Sequence, residues 1–243
     1  MPELTVASWN IHWGRGLALL GYKPFDVVEG CRRLDADVLV LQESWVPDGE
    51  LAQHDEIAEA LGCSVVAVAC GRAVLDPRPA VVDRADPARR KGTGDWCLAV
   101  LSRLPVTSSA VIPLPQRRHD PATRNVLRVD VDVDGSPLAV HGTHFTHLQM
   151  GSALVRPALR AALAPVDDAA VLIGDMNMWG WCLSWMKPPG WVRTGRGRTF
   201  PSPVPHSRID HLITTPSVEV LHTEVVDDHS SDHLPIRARL RLA

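Results

Sequence analysis

Two unbroken apolar runs that each close on a charged residue constrain this chain most: Ala36-Asp-Val-Leu-Val-Leu-Gln-Glu43 and Val171-Leu-Ile-Gly-Asp-Met-Asn177. An apolar centre without alternation is what a strand buried on both faces requires. A buried strand ending in Glu43 needs a reason for the charge, and a bound metal is the commonest one. The second run stops at Gly174 and presents Asp175 and Asn177 two residues apart. The side-chain period of a strand puts those two on one face and turns Met176 away into packing. Alone, such an ending is ordinary turn chemistry; other strand ends here carry the same kind of cargo.

The 243 residues, 45% of them hydrophobic, suit a single domain spanning 1–243 with a substantial core. The start, Met1-Pro-Glu-Leu-Thr-Val, has neither the basic region nor the cleavage site of a targeting segment, and no apolar run approaches membrane-spanning length. Five cysteines without a Cys-x-x-Cys pair read as reduced core thiols of a cytoplasmic protein. A formal charge of -3 gives no overall basic field and argues against coating nucleic acid.

Leu4 to Gly14 reads as a strand delivering Asn10, and Gly21 to Leu34 has helical spacing, with Pro24 suited to its first turn. Leu51–Leu61 and Gly151–Leu163 read as helices, Ser64–Ala69 and Trp96–Pro105 as strands, and residues 71–95 as an exposed substrate-side loop rich in Pro, Gly and charge. Asn125 to Val140 alternates strictly on both sides of Asp134-Gly135, a hairpin signal. Its Asp130, Asp132 and Asp134 mimic a calcium loop, but the position of the bidentate Glu is His141. The polar face of a hairpin explains them better. His141, His144 and His147 raise the possibility of zinc, yet alternation sets His144 on the face opposite the other two. Asp210 sits among apolar residues in Ser207–Ile213, and Asp232 and His233 precede the terminal strand.

In register these segments resemble the endonuclease/exonuclease/phosphatase superfamily, which includes deoxyribonuclease I, abasic-site endonucleases, neutral sphingomyelinases and inositol polyphosphate 5-phosphatases. The matching motifs are Trp-Asn-Ile (9–11), Leu-Gln-Glu (41–43), Leu-Ser-Arg (101–103), Gly-Thr-His (142–144), Gly-Asp-Met-Asn (174–177), Ile-Asp-His (209–211) and Ser-Asp-His-Leu-Pro (231–235). The resemblance implies an α/β four-layer sandwich, with two mixed, mainly antiparallel sheets face to face, helices outside and a cleft at the sheet edges.

Cleaving a phosphate ester calls for a positioned water, neutralisation of phosphoryl charge and help for the leaving oxygen. Glu43 suits the principal ligand of Mg2+ or Mn2+, one or two ions, with Asn10 and Asp232 completing the oxygen shell. By resemblance, Asp175 deprotonates the attacking water and Asn177 donates to a phosphate oxygen. His233, paired with Asp210, would present a fixed ring nitrogen; His144 would contact the phosphate or assist the leaving group, with Asp95 as its candidate carboxylate. Arg124 stands where deoxyribonuclease-like members contact the backbone, although an exposed salt-bridging arginine fits as well.

The expected partner is a phosphate ester, with nucleic acid the leading case, and the expected state is a monomer. Basic clusters at Arg89-Arg-Lys91, Arg117-Arg118 with Arg124, and Arg196, Arg198 and Arg208 could ring the cleft. Tryptophans 9, 13, 45, 179, 181, 185 and 191 lie near the motifs, at least half of them expected in the core. The Gly- and Pro-containing run from Trp179 to Trp191 reads as a loop able to stack a base or meet a lipid interface. Three readings follow: a nuclease-type phosphodiesterase, a small-molecule or lipid-headgroup phosphoesterase, and an inactive binding module, which the complete residue set disfavours.

Overall fold

The computed structural model describes residues 1–18, 21–74, 93–115, 120, 122–146, 152–163 and 169–243. Its frame is two six-stranded sheets. The first holds β1 (Glu3–Asn10), β4 (Val38–Pro47), β5 (Ser64–Val74), β6 (Thr93–Ser102), β13 (Val218–Val225) and β14 (Ile236–Leu242), in the order β13-β14-β1-β4-β6-β5. The second holds β7 (Val106–Pro113), β8 (Asn125–Val133), β9 (Ser136–His144), β10 (Ala170–Asp175), β11 (Val192–Thr194) and β12 (Asp210–Thr214), in the order β11-β12-β10-β9-β8-β7. A ribbon of β2 (Arg15–Ala18) and β3 (Gly21–Pro24) stands apart. Only β1 with β4 and β9 with β10 pair in parallel; the other described pairings are antiparallel.

Strand alternation builds the layers. Even-numbered Leu4 and Val6 of β1, Val38 and Val40 of β4, and Leu138 and Val140 of β9 join odd-numbered Val171 and Ile173 of β10 in one core between the sheets. Their neighbours face outward. Trp9, Leu39 and Leu41 pack under α1 (Val27–Leu34) and α2 (Gln53–Leu61), while Ala139, Leu172 and Ile213 pack under α3 (Ser152–Leu163) and α4 (Gly180–Met186). The result is helix, sheet, sheet, helix. At Gly142 the sheets approach too closely for a side chain, since a Cβ there would lie 2.8 Å from a methyl of Val40.

Local chemistry moved several boundaries. The helix expected from Gly21 begins at Val27, because the Asp26 carboxylate caps Glu29 N at 2.9 Å and Gly21–Pro24 pairs with β2 instead. The loop expected over 71–95 is narrower: β5 runs to Val74 and β6 starts at Thr93, and 75–92 lie outside the described residues, as do the Arg89 and Arg117 clusters and His147. The run after Trp179 contains α4, since Cys182, Leu183 and Met186 share a buried face that outweighs its Gly and Pro content. The sequence reading did not resolve β13, the edge strand antiparallel to β14. All five cysteines are free, and no described helix is long and apolar enough to cross a membrane.

Candidate active site

The parity that fills the inter-sheet core also delivers the site. Asn10 ends β1 on the face of Val6, His144 ends β9 on the face of Val140, and Asp175 ends β10 on the face of Ile173. Antiparallel β12 enters from the other direction, so its first residue, Asp210, lies opposite Asp175 in the register. The segment before β14 brings Asp232 and His233 to the same edge. The strands β1, β9 and β10 thus contribute their last residues and β12 its first.

Glu43 arrives by another route. Alternation from Val38 and Val40 would turn residue 43 toward the helices, but β4 continues to Pro47 through a bulge. Leu41 pairs with Ala99 and Ser44 with Cys97, leaving one residue extra. Glu43 takes φ 57° there and faces the cleft. The bulge is pinned from α2: Gln53 accepts from Trp45 N at 2.8 Å and donates to Trp13 O at 3.0 Å, and Ser44 Oγ lies 3.0 Å from His54 Nδ1. Trp9 Nε1 donates to His233 O at 2.9 Å, fixing the other wall.

Asp175 is the hub. Its Oδ2 accepts from Asn10 Nδ2 at 3.1 Å and lies 3.5 Å from His144 Nε2 and 3.7 Å from His233 Nε2, while its Oδ1 accepts from Asn177 N at 2.9 Å. Asn177 lies beyond the strand end at φ 48° and donates to Phe145 O at 3.0 Å, whereas Met176 is fully buried as alternation required. His233 Nδ1 meets Asp210 Oδ2 at 3.0 Å. Burial opposes a charge on that ring, but Asp210 and Asp175 outweigh it and lift His233 to about 10.

The residues present suit a hard cation. Burial raises the pKa of Glu43, and Asp232 raises it further, which describes carboxylates gathered with too little positive charge. Glu43 and Asp232 keep 16% and 17% side-chain exposure, against 1% for Asp175, so they are the oxygens an ion with its own waters can reach. Asn10 fits the ligand shell less well. Its amide N–H groups go to Glu43 at 3.3 Å and Asp175 at 3.1 Å, and its oxygen accepts from His12 N at 3.1 Å, making it a clamp between carboxylates. Asp175, Asp210 and His233 also place ligating atoms within 4.8 Å of one another, but the Nδ1 of His233 is already committed to Asp210.

Other expectations separate here. The carboxylates facing His144 are Asp175 and, at 3.9 Å, Glu43; Asp95 instead lies 3.6 Å from Arg72 at the sheet edge. Arg124 is neither exposed nor in the cleft: it is buried, bound through two nitrogens to Asp120 at 2.9 and 3.1 Å, and donates to His144 O at 3.4 Å. Arg208 turns its guanidinium to the carbonyls of Thr194 and Gly195, away from the cleft. His141 packs on the helix side, bonded to Val171 O at 3.1 Å, which disposes of a shared zinc site with His144. The acidic hairpin pairs Asp130 with Arg128 at 2.8 Å and Asp132 with Gly135 N at 2.7 Å, a turn and a surface ion pair. The sequence reading passed over His12, at φ 43° and 3.7 Å from Asp232, and Phe200, whose ring centroid lies 4.8 Å from that of His233. His12 stands two residues after Asn10, a signal available in the sequence; Phe200 left none.

Comparisons with known proteins bear on the fold and the family. A solved endonuclease/exonuclease/phosphatase from Beutenbergia cavernae is similar over 100% of this chain and 72% of its own, at 26% identity and TM-score 0.73. A Bacteroides vulgatus endonuclease/exonuclease/phosphatase superposes at TM-score 0.69 with 17% identity, covering 100% of both chains. D. rerio TDP2, solved with a single-strand DNA product, superposes at TM-score 0.67 with 18% identity over 98% of this chain and 99% of its own. No functionally curated protein matches the sequence. The sequence model of the Endonuclease/Exonuclease/phosphatase family matches residues 7–233, so the chain belongs to that family, whose members are in general hydrolases of phosphate esters.

Proposed function

We propose that this chain is a divalent-metal-dependent phosphodiesterase of nuclease type that cleaves by in-line attack of water. The observation that carries the reading is Asp175 Oδ2 standing between two imidazole nitrogens, 3.5 Å from His144 and 3.7 Å from His233, in a cleft whose other wall is Glu43 and Asp232. Asp175 accepts the proton of the attacking water and Asn177 donates to a phosphate oxygen. His233, held charged by Asp210, stabilises the negative charge that grows on the phosphoryl oxygens. His144, held by the backbone bond from Arg124, gives a proton to the leaving oxygen. A magnesium or manganese ion on Glu43 and Asp232 would supply Lewis-acid withdrawal of phosphoryl charge.

A second reading has its own support. The cleft, of about 240 Å³, is smaller than the roughly 300–1,000 Å³ usual for ligand pockets, and accommodates one phosphate with its immediate neighbours. That suits a small diester or lipid headgroup as well as one link of a polymer lying across the surface. The deciding experiment is hydrolysis of plasmid DNA, single-stranded oligonucleotide and a chromogenic phosphodiester, with magnesium or chelator and with Asp175→Asn as control. Chelator-sensitive cutting of nucleic acid that the variant lacks is the expected result. Cleavage of the small diester alone would replace the nuclease reading with the second one, and no cleavage of any substrate would overturn both.

A further inference from the structure

We propose that Trp179, Trp181 and Trp185 form a stacking platform for single-stranded nucleic acid, an extension of the cleft that holds the chain being cut. The proposal rests on the phosphodiesterase reading and names its substrate class. Trp9, Trp13, Trp45, Trp96 and Trp191 are all buried, as core residues of this size should be, but Trp179, Trp181 and Trp185 are 48%, 69% and 46% exposed. Indole rings left in water forgo the burial that drives them inside, so three together ask for a partner.

Their placement points to the partner. The helix α4 buries Cys182, Leu183 and Met186 and turns Trp181 and Trp185 outward, one helical turn apart and hence neighbours on its surface. Trp179 follows Asn177 by two residues, a reach of at most about 7 Å, so the row begins at the rim of the cleft. Guanidinium groups border the helix that carries the rings. The Arg156 guanidinium carbon lies 4.1 Å from the Trp185 ring centroid, and Arg160 donates to Trp185 O at 3.1 Å. Arg193 fills the space where a side chain at residue 180 would stand, which is why glycine occupies it.

Exposed rings with arginines beside them match a strand whose flat bases alternate with phosphates. Arg156, Arg160 and Arg193 are the arginines set against this helix, and their charge favours a polyanion as its occupant. A membrane is the poorer occupant: a helix of seven residues, flanked by Arg156 of α3 and Arg193 of β11, lacks the long continuous apolar face that settles into a bilayer. A duplex fits poorly too, because its bases already stack on each other and offer no free face.

The test uses the whole chain in chelator, so that nothing is cut, and reads the anisotropy of a fluorescent oligothymidylate and of a duplex of equal length. Tighter binding of the single strand is expected, with affinity falling about fivefold or more for each of Trp181→Ala and Trp185→Ala. The melting temperature serves as the folding control. Equal affinity for strand and duplex, or undiminished binding by the double variant, overturns the platform. So does a double variant that loses binding to phosphatidylcholine/phosphatidylserine vesicles while keeping its affinity for the oligonucleotide. Hydrolysis of the chromogenic diester by the unaltered chain separates the two claims: cutting without strand binding removes the platform alone, and strand binding through the rings without any magnesium-dependent cutting removes the phosphodiesterase reading alone.

Discussion

His141 and His144 stand three residues apart on β9 and occupy different chemical worlds. The odd spacing sends His141 toward the helices, where its Nδ1 meets Val171 O at 3.1 Å and burial pushes its pKa down to about 4. His211, next to Asp210, repeats the pattern with Met178 O at 2.8 Å and a pKa near 3, again through burial. On the cleft side His233 is as dry, yet the carboxylates of Asp210 and Asp175 lift it to about 10. Burial is common to both regions, so burial does not distinguish them. What does is whether the ring faces a carbonyl, which accepts one proton from a neutral imidazole, or a carboxylate, which also compensates a positive one.

The largest effect should come from breaking the cleft side. Asp175→Asn keeps the acceptor for Asn177 N, and His233→Ala removes the charged ring. Each should lower turnover about a hundredfold to ten-thousandfold, the range for losing a proton-transfer or charge-stabilising group, with the melting temperature little changed for Asp175→Asn. Steady-state rates on the preferred phosphodiester check this, and activity surviving both substitutions would remove these residues from the chemistry.

The core side should reveal itself through acid. His141 and His211 take a proton near 6.5 when unfolded but only near 4 and 3 when folded, so the unfolded chain binds protons first as pH drops. Their stabilising contribution is complete above about 6.5 and declines as pH falls toward 4. The loss is on the order of 3 kcal/mol for each ring. His141→Gln cannot titrate, so the fall in melting temperature between pH 7 and 4.5 should be smaller for it than for the unaltered chain. Identical falls would show that His141 is not the neutral buried group described above.

Much of this contrast could be read in the sequence, because it depends on parity. The runs at Val38–Leu41 and Val171–Ile173 marked two central strands, and alternation turned Met176 away from Asp175 and set His144 on the face opposite His141. Glu43 shows where counting stops working. Its inward direction depends on one extra residue at the bulge, which leaves the apolar pattern of Val38–Leu41 untouched. Arg124 was misjudged for a different reason: its partner Asp120 lies four residues upstream, and neither belongs to a strand or helix whose periodicity would indicate which side chains meet. The same holds for Phe200, brought to His233 by loop geometry alone.

A smaller effect should follow from releasing the bulge itself. Gln53 ties Trp45 N to Trp13 O, holding together the two backbone segments on which Glu43 and His12 adopt positive φ. Gln53→Ala leaves a partly buried N–H without its acceptor, at a cost of about 1–3 kcal/mol. If the tie also aims Glu43, the variant should need more magnesium for half-maximal rate, in the same direction as Glu43→Gln. A lower melting temperature with an unchanged magnesium requirement would reduce Gln53 to a structural brace.

The smallest effect tests the other half of the contrast, that a carboxylate matters through what faces it. Asp130 resembles Asp210 in sequence: both sit in strands beside apolar residues, and the Asp130 run looks the more like a metal loop. Its partners are Arg128 at 2.8 Å, a side chain one-third exposed, and the hydroxyl of Ser108. Water competes for both, so the pair contributes at most about 1 kcal/mol. Asp130→Asn should therefore shift the melting temperature by only a degree or two and leave the rate and magnesium requirement where they were. Asp210→Asn, which removes the carboxylate nearest a buried imidazolium, should depress the rate. Equal consequences for the two substitutions would mean that the surroundings of the carboxylates, exposed and paired in one case and dry in the other, do not govern their roles.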